Sequence, residues 1–388
     1  MKFQKLILIN VKYIFYLLMI SIFLFIYFGL TFIFLHYLYK RLSIFYQDIK
    51  YKDPETGKLI DINEKYAAFQ PIDPINYWPF ILQGLILFPI RGILSFFICL
   101  FLLIHLLIIK LFYKNTATNK KENELITNAT KLWASLFLKV NLISLIKQDI
   151  SYEEIYKKYL GNDYNFKQDK YSLIICNHLG YYDVIANMAI NGSGFIAMKA
   201  VANAPVGGDI AYHIGSIFVD RGDKTNRNDC IDQLTKRQKE FYEGKNYYKL
   251  VIFPEGTSTN NRYLTKFKKG AFYSLLPLKP MIIKISFDGP CHLCCGVTHL
   301  FFHVMRSFCY FTNKLYYIEL PIITPTEYMF EHYKDLGKEK WEIYKNVVYK
   351  MYLELGNFKE TDIGLRDKND YYAALETGIY KNIKCIKN

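Results

Sequence analysis

Apolar residues run in long uninterrupted blocks up to residue 109 and in short, evenly broken runs from Tyr171 onward, so the pattern predicts long helices first and a layered unit after them. From Tyr13 to Tyr39 no Asp, Glu, Lys or Arg interrupts 27 residues rich in Ile, Leu and Phe, bounded by Lys12 and by Lys40-Arg41. That length spans a bilayer with tilt. A cleaved signal peptide is the alternative, but the apolar part is too long and lacks a small-residue cleavage site, so residues 1–40 are expected to be a retained anchor. Lysines and Arg41 flank it on both sides, which leaves its orientation open. Gln47 to Asp73, with Asp53-Pro54-Glu55-Thr56-Gly57, is expected to be a polar surface linker within residues 41–75.

Ile81–Ile90 and Ile93–Ile109 form a second apolar unit within residues 76–112, interrupted by Pro89, Arg91 and Gly92. A helical hairpin dipping into one leaflet competes there with a second crossing, because proline removes a helix hydrogen bond. Lys110 to Lys121 returns the chain to water. Residues 113–169 are expected to be a connecting helical region, in which the mixed apolar and basic stretch Trp133–Ile146 lies on a sheet or on the membrane surface.

Across residues 170–330, short apolar runs alternate with helical stretches, the signature of an α/β layer fold. Expected strands are Ser172–Cys176, Gly194–Met198, Ser216–Val219, Lys249–Phe253 and Met281–Phe287. A charged helix over Asn226–Glu243, about 27 Å long at 1.5 Å per residue, supplies a crossover. In residues 331–388 an amphipathic helix over Trp341–Leu355 precedes a loosely ordered tail.

Composition changes this picture little. Hydrophobic residues make up 52% of the 388, and the excess lies at the N-terminus. A net charge of +14 favours an anionic partner, yet a chain so rich in Lys, Asn, Tyr and Ile reaches it through compositional bias as readily as through function. Eight cysteines are scattered, several inside apolar runs, which fits a reducing compartment better than a disulfide framework. Cys291, Cys294, His299 and His303 have zinc-like halves, but only four residues separate those halves, so no metal site is expected.

Candidate chemistry collects at strand ends. Leu173-Ile174-Ile175-Cys176-Asn177-His178-Leu179-Gly180-Tyr181-Tyr182-Asp183 reads as a buried strand, a polar loop and a helix start. Five residues of helix turn through about 500°, so His178 and Asp183 meet only if the histidine lies in the loop and the carboxylate on the first helical turn. There the carboxylate fixes the imidazole tautomer and leaves the other nitrogen free to take a proton from a hydroxyl. A capped helix with an incidental histidine is the bland alternative. Gly215-Ser216-Ile217-Phe218-Val219-Asp220-Arg221 ends a second strand in a guanidinium suited to phosphate. Phe253-Pro254-Glu255-Gly256-Thr257 ends a third with a flexible glycine and an acceptor for a substrate hydroxyl.

Together and in this order, Asn177–Asp183, Gly215–Arg221 and Phe253–Thr257 resemble the three signature blocks of the glycerolipid acyltransferase superfamily that includes bacterial PlsC. Pro280 with its apolar followers resembles the fourth. Leu85–Arg91, Ser258–Asn260 and Phe267–Phe272 extend the similarity toward the lysophosphatidylcholine acyltransferase branch, over roughly Ile81 to Gly356.

The resemblance implies an α/β fold with a mixed, mostly parallel sheet behind N-terminal membrane helices, and acyl transfer from acyl-CoA to the hydroxyl of a lysophospholipid. It implies His178 as general base with Asp183 as its orienting group, and substrate contacts from Asn177, Gly215, Arg221, Glu255, Gly256, Thr257 and Pro280. Arg221 would hold the acceptor phosphate, while Thr257 and nearby backbone N–H groups would face the oxyanion. Lys199, Lys266, Lys268 and Lys269 are candidates for the CoA phosphates. It further implies no cofactor, since acyl-CoA is a substrate, and no nucleic-acid partner. The place implied is an integral membrane position in the endoplasmic reticulum with the site facing the cytosol.

Many phosphatidate-forming members carry Arg where this chain has Ser258. A missing guanidinium there points to an acceptor whose phosphate already bears a head group, of the lysophosphatidylcholine type. Acylation of lysophosphatidic acid or glycerol-3-phosphate is the alternative, and a non-catalytic lipid-binding protein is the rival class. No covalent role is expected for Cys176, because strand alternation gives it no reason to face the acceptor of His178.

Overall fold

The computed structural model describes residues 2–53, 56–72, 75–113, 118–168, 170–219, 224–286, 292–380 and 383–387. Each long apolar block forms one helix, α1 (Lys2–Ser43) and α2 (Tyr77–Phe112). The hairpin alternative is not what forms, since α2 runs unbroken through Pro89, Arg91 and Gly92. A proline removes one N–H, which a long, laterally packed helix absorbs. Arg91 turns sideways instead: Nη1 donates to the carbonyls of Tyr310 and, at 3.4 Å, Phe308, and Nη2 donates to that of Phe311 at 2.9 Å.

The helices meet at Gly84, where an added Cβ would lie 2.9 Å from Leu35 Cδ1. Leu35, Leu38 and Leu42 are buried there with Phe80, Ile81 and Tyr310. Between Leu18 and Ile33 α1 is bare, with Phe23 68% and Phe25 81% exposed.

The Trp133–Ile146 stretch divides between helix α3 (Lys120–Val140) and strand β1 (Ile143–Lys147). Strands β2 (Leu173–Cys176), β3 (Gly194–Met198), β4 (Ile217–Val219), β5 (Leu250–Ile252), β6 (Leu278–Ile285) and β7 (Asn313–Glu319) complete a seven-stranded sheet in the order β1-β7-β6-β2-β5-β3-β4. Every pairing is parallel except β6 with β7, so the sheet is mixed and mostly parallel, as the alternation predicts. The predicted strands lie within a few residues of their expected bounds, whereas β1 and β7 are additions to that set. Helix α4 (Tyr182–Asn191) follows β2, and α5 (Lys224–Tyr242) makes the expected crossover from β4 to β5.

One face of the sheet packs on α2, α3 and α4, through residues such as Leu102, Leu106, Ile126 and Ala186. A short helix, α6 (Leu300–Ser307), leads into β7. The other face packs on α7 (Lys340–Gly356), through Tyr344, Val347, Val348 and Tyr352.

Two segments depart from expectation. The supposed linker forms an antiparallel pair, Ile49–Lys52 with Leu59–Asp61, and then buries Ile62, Tyr66 and Phe69. The supposed tail carries helix α8 (Leu365–Thr377), which buries Tyr371, Ala374 and Leu375 in the same cluster. Both are short amphipathic pieces whose apolar faces find each other only in the folded chain.

Candidate active site

Parallel strands β2 and β5 are neighbours with register Ile174↔Val251, so the loops that follow them, one carrying His178 and the other Glu255, leave the same end of the sheet. His178 lies in the first loop and Asp183 on the first turn of α4, the arrangement that the spacing requires. His178 Nδ1 is 2.8 Å from Asp183 Oδ2. That oxygen also accepts from the backbone N–H of Leu179 and, at 3.3 Å, of Gly180. The side chain of Asp183 is wholly buried while that of His178 keeps 24% of its surface exposed. A carboxylate held this way accepts a hydrogen bond from Nδ1–H, which leaves Nε2 as the basic nitrogen. The imidazole also stacks on Phe253, with centroids 4.2 Å apart and planes 18° from parallel.

Gly180 is forced by space. Its φ is +156°, and an added Cβ would stand 2.3 Å from Cys295 Sγ. The residue-292–298 loop therefore presses on the turn between His178 and Asp183, and Cys295 N–H donates to Leu179 O at 2.8 Å.

Glu255 has a structural task that its motif does not reveal. It is 2% exposed, and its Oε1 accepts from His178 N–H at 2.7 Å while Oε2 accepts from Thr265 N–H at 3.1 Å. Both oxygens accept from backbone N–H groups, so the carboxyl ties two loops together. Burial pushes its pKa up to about 8, against the two N–H donors that pull it down.

Three more residues expected at the substrate have clear partners within the fold. The Asn177 amide donates to Ile283 O at 2.9 Å and accepts from Ile283 N–H at 2.8 Å, which extends the β2–β6 pairing one step past the strand. Gly215, at φ +80°, turns the chain into β4 against Tyr248, whose ring an added Cβ would meet at 2.8 Å. Pro280 is buried in β6 opposite Ile175, and the Tyr352 hydroxyl supplies the missing bond by donating to Ile175 O at 2.7 Å and accepting from Met281 N–H at 3.2 Å.

Gly256 N–H donates to Phe253 O at 3.1 Å, so that N–H closes the turn, and Thr257 is buried beside it. Arg221 lies outside the described residues, as do Asp220 and Cys291. Burial raises the Cys176 thiol well above its ordinary pKa, which keeps it protonated and a poor nucleophile. His303 approaches Cys295 Sγ through Nδ1 at 3.5 Å, and among the described residues no metal-binding cluster of His, Cys, Asp and Glu forms.

Sequence reading misses Lys368. This α8 residue donates from Nζ to Ser258 Oγ at 2.7 Å and to Ser258 O at 3.2 Å. Position 258 itself carries no guanidinium, but an ammonium reaches it from elsewhere in the chain. The spacing of Lys368, Tyr371 and Leu375 puts all three on one helix face, the one signal in the sequence that points to it.

Comparison with known proteins agrees with this geometry. Residues 159–288 match the Acyltransferase family. A lysophospholipid acyltransferase (LPEAT1) of Arabidopsis thaliana is 29% identical over 52% of this chain and 49% of its own length. A lysophosphatidylcholine acyltransferase of Drosophila melanogaster is 32% identical over 40% of this chain and 29% of its own, and a human one is 28% identical over 40% and 28%. The match thus spans about half of the plant protein and under a third of the other two. The crystal structure of the 1-acyl-sn-glycerophosphate acyltransferase PlsC of Thermotoga maritima superposes with a TM-score of 0.43 at 14% identity, over 69% of this chain and 97% of that one. Residues 159–288 thus match the Acyltransferase family, and over about half of its length or less the chain is similar to lysophospholipid and lysophosphatidylcholine acyltransferases.

Proposed function

We propose that this chain transfers an acyl group from acyl-CoA to the free hydroxyl of a lysophospholipid of the lysophosphatidylcholine type. The observation that carries the reading is the 2.8 Å contact between His178 Nδ1 and the buried Asp183 carboxylate at the end of a parallel sheet. Nε2 takes the hydroxyl proton as the oxygen attacks the thioester carbonyl carbon. The tetrahedral intermediate then collapses, the carbon–sulfur bond breaks, and the leaving thiolate takes the proton back from the imidazolium. Asp183 stabilises that imidazolium, in the manner of the carboxylate in a serine-protease triad. Thioester, hydroxyl and base supply every atom of the reaction, so no metal or other cofactor is invoked.

Arg221, by the likeness of its motif, is the proposed holder of the acceptor phosphate. Lys199, Lys266, Lys268 and Lys269 are proposed to meet the CoA phosphates, although Lys266 is already paired with Asp362 at 2.6 Å. The bare part of α1 and the exposed apolar side chains of α2 support an integral membrane position. Residence in the endoplasmic reticulum with a cytosolic site rests on the resemblance alone, and the lysophosphatidylcholine-type head group rests on the names of the relatives, now that Lys368 stands beside Ser258.

The test is the purified full-length chain in detergent or vesicles, given one acyl-CoA and a panel of lysolipids. We expect the diacyl product and free CoA thiol in equal amounts, with lysophosphatidylcholine preferred over lysophosphatidic acid. Binding of lysolipid without thiol release would favour the lipid-binding alternative, and a strong preference for lysophosphatidic acid would move the assignment to that acceptor.

A further inference from the structure

Segments on both sides of the matched domain build a collar around the catalytic loops. Asn260 N–H donates to Ala68 O at 2.9 Å, and its amide donates to Ala67 O at 2.7 Å and Gln70 O at 3.1 Å. Val297 N–H donates to Phe69 O at 2.7 Å. Helix α8 adds a charged member to this collar, the Lys368 ammonium on the carbonyl and hydroxyl of Ser258.

Ser258 follows the Glu255-Gly256-Thr257 turn, and the next residue, Thr259, donates its N–H to His178 O at 3.0 Å. Glu255 holds the N–H of the same histidine. The ammonium thus grips the middle of a loop whose two ends hold the backbone of the base on both sides. We propose that Lys368 is a positioning residue for the acyl transfer, fixing the 253–259 loop that in turn fixes His178.

Two features set this contact apart from ordinary packing. Both hydrogen-bond partners of Lys368 are neutral, and placing an ammonium inside the protein on neutral oxygens is costly. As a residue Lys368 is half-buried, but its charged end is enclosed, and burial lowers its pKa to about 8. A structural link at this point needs no charge, since a hydroxyl or amide would serve. The loop carries a buried ammonium even so, which sets this contact apart from a link that only packs.

The inference rests on the acyltransferase reading, and its test uses the full-length chain in phosphatidylcholine vesicles with lysophosphatidylcholine and one acyl-CoA. Lys368→Met and Ser258→Ala are compared with Tyr371→Phe, which removes the α8 hydroxyl contact to Asn63 and leaves Ser258 alone. Lys368→Met should lower kcat about tenfold or more through misplacement of the base. KM for either substrate should stay within about twofold. Ser258→Ala should lower kcat in the same direction, and the double variant should be no worse than Lys368→Met, because the two act through one contact. Tyr371→Phe should lower the melting temperature and keep kcat.

Normal kcat in Lys368→Met, a rise in KM alone, or an equal kcat loss in Tyr371→Phe would each overturn the inference. A rise in KM alone would mark the lysine as a substrate-phosphate cation. If Lys368→Met does not fold, normal kcat in Ser258→Ala overturns it. A wild type without thiol release overturns the acyltransferase reading first, and this inference with it.

Discussion

The Glu255 carboxyl group holds His178 by its backbone, with Oε1 accepting the histidine N–H at 2.7 Å while Oε2 accepts from Thr265 at 3.1 Å. The conspicuous acid of the third motif thus holds the histidine of the first, across two neighbouring strands. Because this acid is buried and its pKa stands near 8 against an ordinary 4.5, its neutral form is favoured in the folded protein. The folded state then binds more protons than the unfolded one between those values, so this group makes stability fall as pH rises from 4.5 to about 8. Glu255→Gln should flatten that part of the profile, and should cost about 1–3 kcal/mol at low pH because an amide N–H faces a backbone donor. Melting temperature against pH for both proteins is the check, and parallel profiles would contradict this view of Glu255.

Gly180→Ala should damage the site from one added methyl, since that carbon would lie 2.3 Å from Cys295 Sγ. The loop must move to accept it, and the N–H bonds from Leu179 and Gly180 to Asp183 go with it. Turnover should fall by roughly 10²-fold. Adding Cys295→Ala should recover part of the loss by removing the nearest atom. No recovery in the double variant would show that the left-handed backbone, and not the contact, is the constraint.

Truncation separates the exposed apolar part of α1 from its docked part. Removing residues 1–30 takes away the exposed stretch that begins at Leu18 and should leave a folded protein that stays with membranes through α2. Removing residues 1–43 also strips Leu35, Leu38 and Leu42 from a buried cluster, and should destabilise the protein by about 2–5 kcal/mol per lost leucine at most. Flotation with vesicles and thermal inactivation distinguish the two. A 1–30 deletion that becomes soluble while still folded would show that α2 does not hold the bilayer.

Much of the site is legible in the sequence because its chemistry sits where strands end. The runs before His178, Asp220 and Pro254 are short, apolar and β-branched, and the predicted strands lie near them. Strands β1 and β7 escape such a reading because Ile143-Ser144-Leu145-Ile146-Lys147 and Asn313-Lys314-Leu315-Tyr316-Tyr317 show no clean alternation; pairing with each other and with β6 decides them. Propensity gives way to tertiary context at such positions.

The partners that Asn177, Gly215 and Pro280 find within the fold are beyond such a reading for a related reason. A motif names residues but does not separate those that touch substrate from those that hold a loop in place. Lys368 is out of reach, since its contact with Ser258 joins residues 110 apart in the chain.

Asp183→Asn keeps the size of the group but loses its charge, and one of its faces becomes a donor. It should keep the fold and lower turnover by about 10²–10⁴-fold, through loss of imidazolium stabilisation and of the correct tautomer. Circular dichroism and thiol release on the same sample make the comparison. Near-normal turnover would remove Asp183 from the mechanism.

The most direct test of the central claim is thiol release from acyl-CoA by wild type and His178→Ala, purified side by side and given lysophosphatidylcholine. The account predicts that the variant folds, binds vesicles like wild type, and turns over roughly 10²–10⁴-fold more slowly. A folded His178→Ala protein with near-normal thiol release would contradict the assignment of this histidine as the base.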